Sequence, residues 1–242
     1  MTPAATREQA LALDGEAIAL GVPVEMLMAL AGYQVAVLAR RLALAAAGPG
    51  AAVAVVAGRG NNGGDALVSA RHLLDWGLPT RVLIPVPVEE MGATSGLARA
   101  AQGAGAELLV LGDGRGQSAE RAISGASLVV DGLLGTGSRG APREPTAAVI
   151  SRVNRSSAEV LSVDLPSGLD ADTGEVLGEC VRAHHTLMLG VAKAGCLAPG
   201  ARHWVGRGWL ADIGIPREAY VRAGLAAPGR RAPEPLEVDW GQ

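Results

Sequence analysis

Phenylalanine is absent from this 242-residue chain and aromatic residues make up 2% of it, so any core must be assembled from Ala, Val, Leu and Ile. Lysine occurs once, as Lys193, and every other basic side chain apart from histidine is an arginine. Lys193 is therefore not one of many interchangeable surface lysines. A positive excess is also missing. The formal net charge is -3, which argues against nucleic-acid binding, since that needs a basic face. A small anion remains possible, because backbone amides and a few arginines can hold one locally. The two cysteines, Cys180 and Cys196, form no Cys-x-x-Cys pair and no zinc spacing, so free thiols in a reducing cytoplasm are expected. Residues 1–10 lack the apolar core of a secretory signal. The longest apolar stretch, 42–58, is broken by Gly48-Pro49-Gly50 and is too short to span a bilayer, so no membrane partner is expected.

Several catalytic signatures are lacking too. No Gly-Lys-Ser/Thr follows a glycine loop, which excludes a Walker A site. Ser167 does not sit in a Gly-x-Ser-x-Gly elbow, which disfavours a serine hydrolase. His72, His184 and His185 belong to no His-Glu-x-x-His motif and have no cysteine at zinc spacing, so they read as structural or solvated. Asp170-x-Asp172-x-Gly174 lacks the spacing and terminal Glu of a calcium loop and reads as a turn.

What is present is a globular composition, 49% hydrophobic and 19% charged, in a length that suits one α/β domain. Folding at this size buries roughly 70% of the unfolded chain's surface, so no metal or disulfide is required for a core. Residues 6–47 are rich in Ala, Leu and Met with apolar positions three and four apart, which predicts two helices separated at Gly21-Val22-Pro23. A βα alternation follows. Strands are predicted over 53–57, 80–86, 107–111, 127–131, 159–164, 185–189 and 205–213, and helices over 65–76, 94–103, 118–125 and 144–155. Such alternation implies a mostly parallel sheet covered on both faces, a Rossmann-like three-layer αβα sandwich preceded by N-terminal helices. Residues 1–225 read as a single domain, and 226–242, rich in Pro, Gly and charge, as a poorly ordered tail.

Three segments carry chemistry. In the first, a β-branched run leads into Gly58-Arg59-Gly60-Asn61-Asn62-Gly63-Gly64-Asp65. Five of the six positions from 58 to 63 are Gly or Asn, residues that tolerate positive φ and let a backbone approach an anion. The Gly58-x-Gly60-x-x-Gly63 spacing fits a dinucleotide fingerprint, but the ribose-binding acid expected at the end of the second strand is missing. Glu89 and Glu90 lie beyond Pro85 and Pro87, which disfavours a hydride-transfer enzyme. In the second segment, Asp131 closes a strand before a loop running from Gly132 through Gly135, Thr136, Gly137, Ser138, Arg139 and Gly140 to Ala141. In the third, Asp164 closes another strand before Leu165-Pro166-Ser167-Gly168. Ligands of open α/β sheets bind beyond the carboxyl ends of strands, so all three are expected to open onto one crevice.

Together these segments resemble the YjeF N-terminal domain family, the NAD(P)HX epimerases. The resemblance runs from about Thr6 to Pro216 and includes the Asn61-Asn62-Gly63-Gly64-Asp65 loop, the stretch 130–145 and Asp164-Leu165-Pro166-Ser167-Gly168. Leu189-Gly190-Val191-Ala192-Lys193-Ala194-Gly195 and Ala211-Asp212-Ile213-Gly214-Ile215-Pro216 also look like family signatures. The resemblance implies substrate contacts at Asn61, Asn62, Gly63, Gly64 and Asp65, at Gly135, Thr136, Gly137, Ser138, Arg139, Gly140 and Ala141, and at Asp164. It implies a potassium ion held by Asn62, Asp131 and Ser167, an oxygen-rich set suited to a hard cation. The implied reaction is epimerisation of the R and S forms of hydrated NADH or NADPH, with Asp164 as the acid/base. A homodimer and a separate NAD(P)HX dehydratase are the partners it implies. Two departures stand out: Arg59 replaces a frequent Pro, and Ala66 replaces a frequent Gly, whose added methyl is expected to narrow the pocket. The competing reading is a non-catalytic nucleotide-binding or interaction module of the same fold.

Overall fold

A capping box opens the first long helix. Thr6 accepts a hydrogen bond from the Gln9 amide at 3.2 Å, and the Gln9 side chain accepts one from the Thr6 amide at 3.0 Å, satisfying two otherwise orphaned donors. The computed structural model describes residues 4–111, 116–228 and 232–238. Its elements in chain order are β1 (Ala4–Ala5), α1 (Arg7–Ala19), α2 (Val24–Ala47), β2 (Val53–Ala57), α3 (Asn61–Asp75), β3 (Thr80–Ile84), α4 (Ser95–Gly103), β4 (Glu107–Val110), α5 (Gly116–Ser124), β5 (Leu128–Gly132) and α6 (Thr146–Arg155). These are followed by β6 (Glu159–Val163), β7 (His185–Leu189), β8 (Ala192–Lys193), α7 (Ala194–Leu197), α8 (Arg202–Val205), β9 (Arg207–Ala211), α9 (Arg217–Arg222) and β10 (Leu236–Glu237).

Eight strands form one sheet in the order β10-β9-β7-β6-β5-β2-β3-β4, and all neighbours are parallel except β10 on β9. The central strands are buried on both faces, which is why β2 reads as an unbroken apolar run and β5 as one up to Asp131. One face is covered by α1 to α4 and α9, with Leu13, Leu38, Leu67 and Tyr220 in a shared core. The other is covered by α5 and α6, through Ile123 and Ile150. This is the expected three-layer sandwich, and the strand positions match the β-branched runs to within a few residues.

Three differences have physical causes. First, α3 begins at Asn61 rather than at residue 65, so the expected loop residues Asn61, Asn62, Gly63 and Gly64 are its first turn. Asn and Gly are weak helix formers, and tertiary contact overrides that preference here. Second, α2 (Val24–Ala47) is a longer unbroken helix than the apolar stretch 42–58, though it carries Glu25, Arg40 and Arg41. Among the described residues it is the one helix whose length and composition would allow it to cross a bilayer, and half of that window is buried inside the molecule. Leu27, Ala31, Val35, Leu38 and Leu42 recur at helical spacing on its buried face, which packs on α3, β5 and β6, as expected of a core helix. Third, residues 226–242 were expected to be poorly ordered. Within them, Leu236–Glu237 adds antiparallel to β9 and Val238 is buried. An edge strand supplies backbone partners that composition does not reveal.

A second, two-stranded sheet pairs β1 with β8 in parallel, setting Ala5 beside Lys193. It ties the start of the chain to the edge of the crevice described next.

Candidate functional site

The sheet order reverses between β2 and β5. From β2 the chain moves outward to β3 and β4, then returns to lay β5 on the opposite side of β2 with Ala57 opposite Gly132. The segments leaving these two strands diverge and open a crevice beyond their carboxyl ends, the usual ligand position in such sheets. Glycine permits the close approach of backbones at its floor. A Cβ on Gly58 would lie 2.0 Å from the Leu133 carbonyl oxygen, and one on Gly63 would lie 1.9 Å from the Gly58 oxygen. Of the fingerprint glycines, Gly58 and Gly63 are thus required by packing between β2, β5 and α3, while a Cβ on Gly60 would meet open space.

The crevice is a cavity of about 680 Å³. Asn61, Asn62, Asp65, the segment 135–138 and Asp164 all line it, so the three sequence segments do converge. Asp14 on α1 and Lys193 at the end of β8 line it too. Neither was assigned from sequence. Asp14 lies in a plain amphipathic helix with no motif. Lys193 was noticeable only as the single lysine within a family-like segment.

Asp164 follows β6 with φ 68°, the one non-glycine positive φ among the described residues. Asp tolerates this left-handed conformation better than most residues, yet it costs about 1–3 kcal/mol, and such strain concentrates at functional positions. Its carboxylate is fixed from several directions. Thr136 donates through Oγ1 at 2.6 Å, the Leu189 amide donates at 3.3 Å, and Lys193 Nζ forms a close ion pair with Oδ1. Lys193 is 4% exposed and also donates to the Leu189 and Val191 carbonyls at 3.0 and 3.1 Å. A buried ammonium is tolerated only with partners of this kind.

Asp65 differs. It is 8% exposed, lines the cavity beside Leu27, Met28 and Ala31, and has no hydrogen-bond partner among the described residues. Burial raises its pKa well above the ordinary carboxylate value; the negative charges of Asp164 and Asp14 add to the rise and Lys193 opposes it. Asp14, whose side chain opens on the crevice, is pushed up to about 6. Partial enclosure by the cavity walls is the first cause, although the side chain stays exposed, with Lys193 lowering and Asp164 raising the value.

Asp131 and Ser167 form a cluster behind the cavity, joined through the Leu134 carbonyl to Asn62 at its wall. Asp131 is fully buried and accepts from Ser162 Oγ at 2.8 Å, from the Ser167 amide at 3.0 Å, from Ser167 Oγ at 2.6 Å and from the Leu133 amide at 3.3 Å. Burial raises its pKa, against the lowering effect of these bonds. Asn62 donates to the Leu134 carbonyl at 3.0 Å, and Ser167 Oγ reaches the same carbonyl at 3.3 Å. The set offers side-chain and backbone oxygens converging on one loop. Among the described residues no group of three or more His, Cys, Asp or Glu could hold a metal.

Other expected contacts are not brought together with these. Gly63 and Gly64 are buried in the first turn of α3 away from the cavity lining. Arg139, Gly140 and Ala141 are exposed outside it. The methyl of Ala66 is fully buried and faces Gly132, where a Cβ would sit 2.5 Å away. It fills a contact between α3 and β5 and does not narrow the cavity. Arg59 lies exposed at the rim.

Comparison with known proteins places these features in context. The family described as YjeF-related protein N-terminus matches residues 24–195. The bifunctional NAD(P)H-hydrate repair enzyme Nnr of Moorella thermoacetica is 40% identical over 168 residues, covering 69% of this chain and 32% of that protein. The chain thus spans about a third of that relative's length. The NAD(P)H-hydrate epimerase of Rhodopirellula baltica is 35% identical over 198 residues, covering 81% of this chain and 78% of that one. The crystal structure of yeast YNL200c superimposes with a TM-score of 0.83 at 25% identity, covering 97% of this chain and 99% of that chain.

Proposed function

The chain belongs to the YjeF-related protein N-terminus family, and on that premise we propose that it interconverts the R and S epimers of hydrated NADH or NADPH by inverting the hydroxyl-bearing carbon of the nicotinamide ring. The observation that carries the reading is the convergence of Asn61, Asp65, Thr136 and Asp164 on one cavity at the sheet's reversal point. Its volume lies within the roughly 300–1,000 Å³ typical of small-molecule sites. The names of the Moorella and Rhodopirellula relatives support the same substrate class.

Within the proposal each part has a task. Gly60 gives α3 no side-chain cap, so the amides of the cavity-lining Asn61 and Asn62 and the positive helix end are available for the pyrophosphate, with Arg59 at the rim. The apolar wall from α1 and α2 covers the ring and excludes water. Asp164, held by Lys193 and Thr136, moves a proton at the inverted centre. Asn62, Asp131 and Ser167, with the Leu134 carbonyl, make an all-oxygen set that fits potassium. The ion would supply positive charge behind the 133–138 loop and fix its backbone. A dehydratase acting on one epimer is the partner activity that would complete repair.

The test supplies an R/S mixture of hydrated NADH with an S-specific dehydratase and follows recovery of NADH. Consumption of the R form above the uncatalysed background only when this protein is present supports the reading. Asp164→Asn should cut that rate about 100-fold or more. An R fraction that persists with the wild-type protein would leave a nucleotide-binding module.

A further inference from the structure

Inverting a carbon that bears a hydroxyl requires chemistry on both faces of the ring. The carbon–oxygen bond breaks on one face, and the oxygen takes its electron pair and a proton from an acid, leaving as water. The lone pair of the ring nitrogen forms a carbon–nitrogen double bond and a planar cation. Water then adds to the opposite face and gives its extra proton to a base there. Composition is unchanged and one proton has passed between two groups, so the reverse inversion starts with their roles exchanged. A single carboxylate fixed at the end of β6 serves one face only.

Building on the epimerase reading, we propose that Asp65 is the second acid–base group, acting from α3 on the face of the ring opposite to Asp164. The placement of the two carboxyls supports this division. Asp164 is held in place by Thr136, Leu189 and Lys193 at the end of β6. Asp65 sits in the same cavity, more than nine-tenths buried, against apolar residues of α2, with no partner among the described residues. Asp65 lines the cavity, so a hydroxyl or water at the reacting carbon can supply the hydrogen-bond partner that the protein does not. The charged groups around it are Asp14 from α1, Asp164 from the end of β6 and Lys193 from β8. Their balance with burial raises the Asp65 pKa, so this carboxyl holds its proton to higher pH than an ordinary one and can act as a donor in the cavity. Asp14 is a positioning residue in this scheme, since its charge helps to keep the proton on Asp65.

The experiment follows the R/S composition of purified hydrated NADH by chiral chromatography across pH, in ordinary water and in water enriched in oxygen-18. Asp65→Asn should lower kcat about 100-fold with KM changed less than about threefold, and Asp65→Glu should recover part of the rate. The wild-type rate should fall as pH rises and Asp65 loses its proton. Asp14→Asn should move that fall to lower pH, because a like charge is removed. Each inversion should place one solvent oxygen in the product hydroxyl, a readout independent of how well any variant folds. Retention of the original oxygen overturns the proposal, as does an Asp65→Asn variant with kcat within about threefold of wild type. A wild-type protein that inverts neither epimer overturns the epimerase reading itself. Inversion with an unimpaired Asp65→Asn overturns only the role of Asp65.

Discussion

Asp131 shows how one buried side chain organises its surroundings. Fully enclosed, it gathers Ser162, Ser167 and Leu133 onto one carboxylate, and with Asn62 and the Leu134 carbonyl it makes the set proposed for potassium. If the ion binds there, the thermal midpoint in potassium chloride should exceed that in choline chloride at equal ionic strength by about 3 °C at tenfold saturation. Asp131→Asn should remove the difference. Equal midpoints for the wild-type protein would remove the cation from the site. Asp131, Asn62, Asp65 and Asp164 were all legible in the sequence, because each sits in a contiguous run whose composition is unusual for a plain turn. Asp14 and Lys193 were not. Asp14 reaches the cavity only because α1 packs across it, and Lys193 only because β8 pairs with a strand near the start of the chain. Contacts of such sequence separation leave no local pattern. Arg139, Gly140 and Ala141 belong to the same run as Thr136, yet the loop turns outward after Ser138, and composition alone does not locate that turn.

At the scale of elements, β1 and α1 act as a strap over one side of the crevice. Arg7 fastens it. Its side chain is 8% exposed, pairs with Asp170 at 3.0 Å and Asp172 at 3.7 Å, and donates to the Ser138 carbonyl in the cavity wall. The guanidinium therefore joins the strap, the 170–172 turn and the loop at Ser138 in a single fork. Arg7→Ala should raise KM for the hydrated nucleotide about tenfold while kcat stays within about threefold. Arg7→Lys should restore little, since an ammonium cannot span the same acceptors. An unchanged KM in a folded Arg7→Ala protein would make the fork purely structural. The alternation of strands and helices was readable from hydrophobic periodicity. The start of α3 was not, because Asn61-Asn62-Gly63-Gly64 has the propensity of a loop and is helical only where Gly58 and Gly132 let three backbones meet. The edge pairing of β10 was equally hidden in a tail rich in Pro and charge.

At the scale of the whole molecule, the crevice gathers acids whose protonated forms suit the folded state. Asp65 and Asp14 both have folded pKa values above the ordinary 3.8, Asp14 reaching about 6. For a carboxyl raised in this way, the stabilising contribution is complete below 3.8 and is lost as pH climbs through the folded value. The thermal midpoint should therefore fall as pH rises from 3.8 through about 6. The share of Asp14 is reduced because it is exposed on the crevice and screened by water, and Asp65 extends the fall to higher pH. An Asp14→Asn, Asp65→Asn double variant should show a flatter profile, and a wild-type midpoint that does not change over this range would count against these shifts. The pairing of β1 with β8 has a consequence for synthesis. The Arg7 amide bonds Asp172 across a separation of 165 residues, and Ala5 lies beside Lys193. During translation the strap must wait, unsatisfied, while the ribosome makes most of the chain. The central strands can begin to pair well before then, but the cavity gains its last wall only after β8 has emerged. A chain stalled before that point should carry a sheet but no finished pocket, so catalytic competence should be acquired late and in one step.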